Sequence, residues 1–371
     1  MIEILLAIFF ITVLLLFLSS GIWVAISMIG VSSIGMILFT SRPVGDAMAT
    51  TIWGASSSWT LTALPLFVWM GEILFRTKLS ENLFEGLAPW LQKLPGGLIH
   101  VNVVGCALFA AISGSSAATV ATVGKMSIPE LRKRKYPEKI LLGSLAGSGT
   151  LGLLIPPSII LIIYGVTVQE SIAKLFIAGI IPGIMIALIF MGYVIIWSLL
   201  NKNKMPLTDE NFSFLNKLNK SKQLIPVILL ILGVIGSIYT GIATATEAAS
   251  LGVVGALILS YFQKSLKLKT FKESLLGATK TSCMIAFILA GATFLSLAMG
   301  FTGLPRNLAI WIQNMELSPY VLIFVLMIFY IILGMFLDGI SAVVLTMAII
   351  EPMIRQAGFD MIWFGIFLVI V

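Results

Sequence analysis

Four small, uncharged residues interrupt an apolar part of the chain where a membrane helix would carry leucine or isoleucine. They are Ser113, Gly114, Ser115 and Ser116, in the stretch AISGSSAATVATVG. A turn between two helix ends at this point would expose backbone carbonyls and amides, and the serine hydroxyls would add more oxygen atoms. Hard cations such as Na⁺ prefer oxygen ligands, whereas the amides at a helix start favour an anion. The stretch is therefore a candidate site for a small ion.

A second interruption lies at 147–158, which reads GSGTLGLLIPPS. Three glycines and the pair Pro156 and Pro157 break an otherwise apolar run. Proline lacks the N–H that would bond the carbonyl four residues back, so carbonyls near the break become available to an ion. Taken alone, this stretch is also consistent with a simple proline kink. Beside the serine-rich stretch, it is expected to form the second half of one site.

Acidic residues inside apolar runs are the other candidates for chemistry. Asp338, in LDGISAVVLTMAIIEP, either contacts a cation or caps the helix that follows, and the sequence leaves both alternatives open. Glu247, in TATEAAS, is the other acidic residue in a span and thus also a functional candidate, although a polar contact between helices is the favoured interpretation. Glu72 is interpreted as the partner of Arg76 four residues on. His100, the sole histidine, is expected at a polar interface rather than in a metal site.

The composition is that of a membrane protein. Of the 371 residues, 59% are hydrophobic and 11% are charged, against about 25% charged residues in a soluble domain. Uncharged runs of about 18 residues or more predict transmembrane helices, and because these runs are continuous we expect an all-α polytopic protein rather than a barrel. The net charge of +7 is concentrated in short loops. The positive-inside rule explains that pattern without a nucleic-acid partner.

Three basic segments, 132–139, 201–222 and 263–273, are expected on the cytoplasmic side of the membrane. Counting the apolar runs between them places the N-terminus on the opposite, outer side. The elements predicted for the first half are scaffold spans within 2–77 (2–20, 22–40 and 58–77), an amphipathic piece (43–57), an arm (78–93), a hairpin (97–130), a broken helix (140–168) and a linking span (171–199).

The hairpin is predicted because both flanks of 97–130 are cytoplasmic by this count. Its two apolar runs, 97–112 and 117–130, are too short for two full spans, so they fit a re-entrant pair of half-helices. The tip of the hairpin would be the serine-rich stretch.

The chain also shows an internal repeat. TKLSENL (77–83) is similar to TGLPRNL (302–308), and the spacing from Ser115 to Pro129 equals that from Asp338 to Pro352. We therefore expect a first repeat at 1–199, a cytoplasmic loop at 200–222 and a second repeat at 223–371. The elements predicted for the second repeat are spans at 223–240, 245–262 and 277–297, an amphipathic piece at 265–276, an arm at 301–316 and a hairpin at 320–354. By the same count the repeats are inverted, which is typical of secondary transporters.

Taken in order, these motifs resemble the large membrane subunit of TRAP transporters, the tripartite ATP-independent periplasmic transporters. The resemblance implies an elevator-type carrier with two re-entrant hairpins, importing an organic acid anion such as a dicarboxylate or sialic acid together with Na⁺. It implies no organic cofactor and no metal other than Na⁺. It also implies a small four-helix membrane subunit and a periplasmic substrate-binding protein as partners, in a lipid bilayer.

The resemblance also assigns site residues. It places a first Na⁺ site at Ser113–Ser116 together with Gly152, Ile155 and Pro157. A partial second Na⁺ site is expected at Asp338, Gly339 and Ser341. The candidate substrate-binding residues are Ser115, Ser116, Thr119, Pro156 and Asp338.

The sequence departs from the family's pattern at its end. It stops inside the apolar run WFGIFLVIV, where the family continues to a second Pro-Pro break, so we expect the second site to lack part of its ligands. A self-sufficient divalent-anion/Na⁺ symporter of related architecture is the alternative function. A membrane enzyme using Asp338 and Glu247 is disfavoured because no paired catalytic motif accompanies them, and broken helices argue against a channel or a passive scaffold.

Overall fold

The computed structural model describes residues 2–77, 79–206, 213–222, 224–305, 307, 310, 318–335 and 337–371. For residues 2–5, 7 and 79–82 it describes the backbone only. All regular secondary structure within these ranges is helical, as an all-α membrane protein requires.

Helices α1 to α11 occupy the first 200 residues. Their bounds are α1 Ile2–Ser19, α2 Val24–Phe39, α3 Val44–Ser56, α4 Ala63–Phe75, α5 Leu79–Leu91, α6 Ile99–Ser113, α7 Ser116–Lys133, α8 Glu138–Gly149, α9 Leu151–Leu154, α10 Ile159–Thr167 and α11 Ile172–Leu200. The remaining helices are α12 Phe214–Ser221, α13 Ile225–Tyr239, α14 Ala245–Phe262, α15 Leu268–Thr302, α16 Pro319–Gly334, α17 Gly339–Gln356 and α18 Met361–Ile370.

The chain is a multi-pass membrane protein by the length and hydropathy of its helices. Five segments of the described chain are long and apolar enough to cross a bilayer, and the number rises to seven if two bent helix pairs each count as one span. One of these pairs combines α3 with the segment Trp59–Phe75, at a bend of 54°. Helix α2 has 16 residues, fewer than the about 20 of a full span, so the span predicted at 22–40 is shorter than expected.

Most predicted elements coincide with helices, and the division between α6 and α7 lies at the serine-rich stretch. Within the broken helix predicted at 140–168, α9 ends at Leu154 and α10 begins at Ile159. The second hairpin corresponds to α16 and α17. That each hairpin enters and leaves the membrane on one side stays a prediction.

One predicted boundary is wrong. The amphipathic piece 265–276, the span 277–297 and the start of the arm 301–316 form a single helix, α15. Residues 268–302 contain no proline, and a glycine such as Gly277 costs a helix only about 1 kcal/mol, which is too little to end it. Residues 306, 308–309 and 311–316 of that arm lie outside the described residues.

The chain forms two compact units. The terminal unit comprises Met1–Thr62, Ile162–Leu175 and Thr281–Val371, and the serine-tip unit comprises Ala63–Leu161 and Phe176–Lys280. In the serine-tip unit, α4 packs against α14, and α6, α7 and α8 pack against one another.

An ion cluster joins α4 to α15 in the serine-tip unit. Arg76 Nη2 lies 3.1 Å from Glu72 Oε2, as predicted, and Arg76 Nη1 lies 3.3 Å from Glu273 Oε2. All three side chains keep a quarter or more of their surface exposed. Such pairs contribute about 0.2–1 kcal/mol each, so packing of the apolar faces stabilises this contact more than the charges do.

Polar contacts tie the end of α10 to α17 and α18 in the terminal unit. The Tyr164 hydroxyl donates to the Met361 carbonyl at 2.6 Å, and Arg355 Nη2 donates to the Val168 carbonyl at 3.1 Å. Arg355 also lies 3.6 Å from Glu170 Oε1. A segment from the first half of the sequence is thus packed against the second hairpin and the helix after it.

Candidate functional site

The turn between α6 and α7 is only two residues long. Gly114 has φ 59° and ψ 10°, a left-handed conformation that glycine adopts without the steric penalty of a Cβ. Its N–H donates to the Ala110 carbonyl at 3.1 Å, which closes the end of α6. The sequence Ser-Gly-Ser-Ser therefore forms the tip of a helical hairpin.

Hydroxyl groups brace this tip from inside. Ser115 caps α7, since its Oγ accepts from the Ala118 N–H at 3.4 Å. Thr119, fully buried, donates through its hydroxyl to the Ser115 carbonyl at 2.7 Å, and its Oγ1 lies 2.9 Å from Ser113 Oγ. Ser113 Oγ, the Ser115 carbonyl and Thr119 Oγ1 thus form a small cluster of oxygen atoms.

The break between α9 and α10 is formed by residues 155–158. The Pro156–Pro157 bond is cis. Ser158 begins α10, with its Oγ accepting from the Leu161 N–H at 3.3 Å and donating to the Leu153 carbonyl. The carbonyl of Gly152 has no amide four residues on, because that residue is Pro156.

The structure brings the tip and the break into direct backbone contact. The Ile159 N–H donates to the Gly114 carbonyl at 3.2 Å. A Cβ placed on Gly114 would lie 2.5 Å from the Pro157 carbonyl oxygen, and one on Gly152 would lie 2.9 Å from the Ser115 carbonyl oxygen. Only glycine fits at these two positions, so the small residues are explained by the close approach of two backbones.

Four helix ends converge at this contact. The carboxyl ends of α6 and of the α8–α9 segment offer carbonyl oxygens, which favour a cation, and the amino ends of α7 and α10 offer amides, which favour an anion. The groups named above are all neutral, so the electrostatics of the site come from the backbone and from hydroxyl dipoles.

Three of the predicted site residues direct their side chains elsewhere. The side chain of Ile155 packs against α11, where a Cβ on Gly183 would lie 2.9 Å from Ile155 Cγ1. Pro156 and Pro157 line an apolar cleft with Phe176 and Val234. Their side chains therefore do not line the tip, and a role for Ile155 would have to come from its backbone carbonyl.

The second predicted site is a helix start. Asp338 caps α17, and its Oδ2 accepts from the Ser341 N–H at 3.3 Å, which agrees with the capping alternative. Gly339 is the first residue of that helix. The contribution of Asp338, Gly339 and Ser341 to a cation site stays a prediction.

One interpretation of a polar side chain was wrong. Glu247 forms a capping box with Thr244 at the start of its own helix, α14, and among the described residues it has no hydrogen bond to another helix. His100 is fully buried, and its Nε2 lies 2.8 Å from the Pro95 carbonyl; its expected place at a polar interface stays a prediction. Sequence reasoning also missed Asn102, a buried residue of α6 that bonds to α8; a polar residue within an apolar helix was the available signal.

Comparisons with known proteins agree with the transporter interpretation. Residues 11–371 match the sequence model of a family described as "Tripartite ATP-independent periplasmic transporter, DctM component". The chain is 31% identical over 343 residues to the C4-dicarboxylate TRAP transporter large permease protein DctM of Pseudomonas aeruginosa, covering 92% of this chain and 80% of that protein.

Two further relatives carry other substrates in their names. The sialic acid TRAP transporter large permease protein SiaM of Vibrio cholerae is 30% identical over 350 residues, covering 94% of this chain and 81% of that protein. The isethionate TRAP transporter permease protein DctMQ of Oleidesulfovibrio alaskensis is 31% identical over 359 residues, covering 96% of this chain and 56% of that protein.

Proposed function

Because the chain belongs to the DctM family of tripartite ATP-independent periplasmic transporters, we propose that it is the large permease of a Na⁺-driven importer for an organic acid anion. The names of its relatives include dicarboxylate and sialic acid carriers, which supports the class of substrate. The word "tripartite" supports two partners, a small membrane subunit and a periplasmic substrate-binding protein. The location is the bacterial inner membrane with a periplasmic N-terminus.

The observation that carries the proposal is the backbone contact between the hairpin tip and the helix break. A Na⁺ ion would bind the oxygens gathered there, from Ser113, Ser115 and Thr119 on the hairpin and from the carbonyl of Gly152 on the break. Because the α6–α7 tip packs directly against the break between α9 and α10, an ion at this point would hold the hairpin and the broken helix together.

The organic anion would bind beside the ion, at the amino ends of α7 and α10. Ser116, the first residue of α7, offers a hydroxyl and an amide there. These helix ends attract an anion but carry no formal charge, so a cation bound beside the anion would strengthen its binding, and this mutual dependence is the physical basis of coupling. An elevator movement, in which the hairpins carry both ligands across the membrane, is part of the same proposal. A second, partial Na⁺ site would be formed by Asp338, Gly339 and Ser341 at the tip of the second hairpin.

The test is uptake of a candidate anion into proteoliposomes that hold the permease, its small subunit and its binding protein. Uptake is expected to need an inward Na⁺ gradient and the binding protein. Equal uptake in K⁺ would overturn Na⁺ coupling, and equal uptake without the binding protein would favour a self-sufficient symporter.

A pair of matched substitutions tests the site itself. Ser115→Ala and Thr244→Ala each remove a hydroxyl that caps a helix by accepting from the third amide, so both cost similar helix stability. Only Ser115→Ala is expected to raise the Na⁺ concentration needed for half-maximal uptake. An equal response to Na⁺ in the two variants would remove the Ser115 hydroxyl from the ion site and leave only the carbonyl of that residue as a ligand.

A further inference from the structure

Two buried side chains between α6, α7 and α8 each have an oxygen atom with no hydrogen-bond partner among the described residues. They are Asn102 Oδ1 and Ser127 Oγ, and both residues are 0% exposed. Buried polar atoms in folded proteins nearly always have a partner, supplied by the protein or by an ordered water. These two oxygens therefore point to a bound molecule.

The amide of Asn102 is oriented by its other contacts. Its Nδ2 donates to the Leu141 carbonyl at 3.2 Å and to Ser144 Oγ at 3.0 Å, which uses both amide hydrogens. The remaining atom, Oδ1, can only accept. The missing partner must therefore be a hydrogen-bond donor or a cation.

Asn102 and Ser127 lie at the same level of the hairpin. The two helices run in opposite directions, and a Cβ on Gly105 would lie 3.6 Å from Val123 Cγ1, which sets their register. Asn102 precedes Gly105 by three residues, and Ser127 follows Val123 by four. Because the helices are antiparallel, moving back three residues on α6 and forward four on α7 goes in the same direction by about one helical turn, so Asn102 and Ser127 lie at one level.

Both side chains also face α8. Asn102 bonds to α8 directly. Ser127 lies three residues after Gly124, where an added Cβ would lie 2.9 Å from Leu145 Cδ2 of α8, and four after Val123, which faces α6. Residues three and four apart share a helix face, so Ser127 is directed into the core shared by the three helices.

We propose that an ordered water binds in this core, donating one hydrogen bond to Asn102 Oδ1 and making a second with Ser127 Oγ. The groups that surround it are an amide and hydroxyls, without a carboxylate to balance a buried cation. A water can both donate and accept, which suits a carbonyl oxygen and a hydroxyl together. This water site forms whichever ion the hairpin tip binds.

A cavity lies next to the proposed water site. The cavity, about 390 Å³ in volume, is lined by Leu98 and Met126, which lie one turn before Asn102 and one residue before Ser127. The bridging water ties α6, α7 and α8 together between that cavity and the tip. These helices then move as one body in any rearrangement of the hairpin.

A double-mutant cycle in thermal unfolding tests the proposal, using the full chain in lipid nanodiscs. Ser127→Ala is expected to lower the midpoint by about 2 °C, because it removes one partner of the water. Combined with Asn102→Leu, it is expected to lower the midpoint by clearly less than the sum of the two single changes. Thr122→Val is the control: its hydroxyl is buried without a partner among the described residues, but it lies five residues from Ser127 on another face. Its effect on the unfolding midpoint should add to that of Asn102→Leu.

Several results would overturn the water site. Without a water, Ser127→Ala would leave the midpoint unchanged or raise it, because removing a truly unpaired hydroxyl removes its cost of burial. Additive effects of Asn102→Leu and Ser127→Ala on the unfolding midpoint would also overturn the water site. If the effects of Asn102→Leu and Ser127→Ala are coupled in Na⁺ but additive in K⁺, the bound species is a cation and not a water. If Asn102→Leu does not fold, density between Asn102 Oδ1 and Ser127 Oγ in a high-resolution map decides: a peak supports the proposal, and a clear map without one refutes it.

Discussion

Replacing Gly152 with alanine should push the hairpin tip away from the helix break. The new Cβ would lie 2.9 Å from the Ser115 carbonyl oxygen and 3.0 Å from Thr119 Oγ1. Neither atom can easily move aside, because the carbonyl belongs to the backbone of the turn and the hydroxyl donates to that carbonyl at 2.7 Å. The added methyl group must therefore displace the tip itself.

The size of the effect follows from this geometry. Ordinary contacts of a Cβ begin at 3.4 Å, so the Ser115 carbonyl must retreat by about 0.5 Å, and overpacking of this kind typically costs 1–3 kcal/mol. Distances in metal sites vary by only about 0.2 Å, so a carbonyl displaced this far would be lost as a ligand. If the ion-bound state carries the whole strain, the Na⁺ concentration for half-maximal uptake rises about 5- to 150-fold.

The assay is anion uptake by proteoliposomes as a function of external Na⁺, with the binding protein in excess. Gly143→Ala on α8 is the matched control, since a Cβ there meets nothing within 4 Å. Its half-maximal Na⁺ concentration should stay at the wild-type value. An unchanged Na⁺ dependence in Gly152→Ala, with normal expression, would refute the argument that the tip and the break share an ion.

Three further substitutions test other contacts. Thr119→Val keeps the shape of the side chain but removes its bond to the Ser115 carbonyl; it should destabilise the protein by about 1–3 kcal/mol and weaken Na⁺-dependent uptake. Thr244→Ala should cost about 1 kcal/mol in thermal unfolding, as the loss of an N-cap does, with Na⁺ dependence unchanged. Tyr164→Phe removes the bond to the Met361 carbonyl and should lower stability by about 1 kcal/mol in the same assay.

Each of these outcomes can fail in a specific way. A Thr119→Val protein with normal stability and uptake would mean that the hydroxyl does not brace the tip. A shifted Na⁺ response in Thr244→Ala would mean that loss of a cap alone perturbs coupling, and it would weaken the matched comparison with Ser115→Ala. A Tyr164→Phe protein as stable as the wild type would show that the Met361 carbonyl finds another donor.

Much of the fold follows from local sequence signals. The apolar runs, the basic loops and the proline pair predict the broken helix at 140–168 and the two half-helices around the serine-rich tip. Where residues 155–158 interrupt the run, the loss of two N–H groups is a local fact that needs no tertiary structure. The continuous helix α15 was not predicted because the apparent boundary within it contains no helix-breaking residue. A change from amphipathic to apolar character looks like a boundary, but nothing in that segment breaks a helix.

The polar contacts depend on distant parts of the chain, and this limited their prediction. Glu247 was assigned to a contact between helices although the sequence TATE already contains a capping box. The buried contact of Asn102 with α8 could not be inferred, because the partner lies about forty residues away and a sequence pattern does not show which helix faces which. The same limit applies to the side chain of Ile155, which packs on α11.

At each hairpin tip a side chain caps the helix that follows, but the capping groups differ in charge. In the alignment of the predicted repeat, Ser115 corresponds to Asp338, and Thr119 to Ala342. In the first tip a neutral hydroxyl caps the helix and a threonine holds the Ser115 carbonyl in place. In the second, a carboxylate caps the helix through one oxygen, and no hydroxyl stands where Thr119 does. A cation at the first tip would depend on the placement of backbone oxygens, whereas one at the second would depend on the charge of Asp338. Substitutions that change space should therefore affect the first tip most, and substitutions that change charge should affect the second.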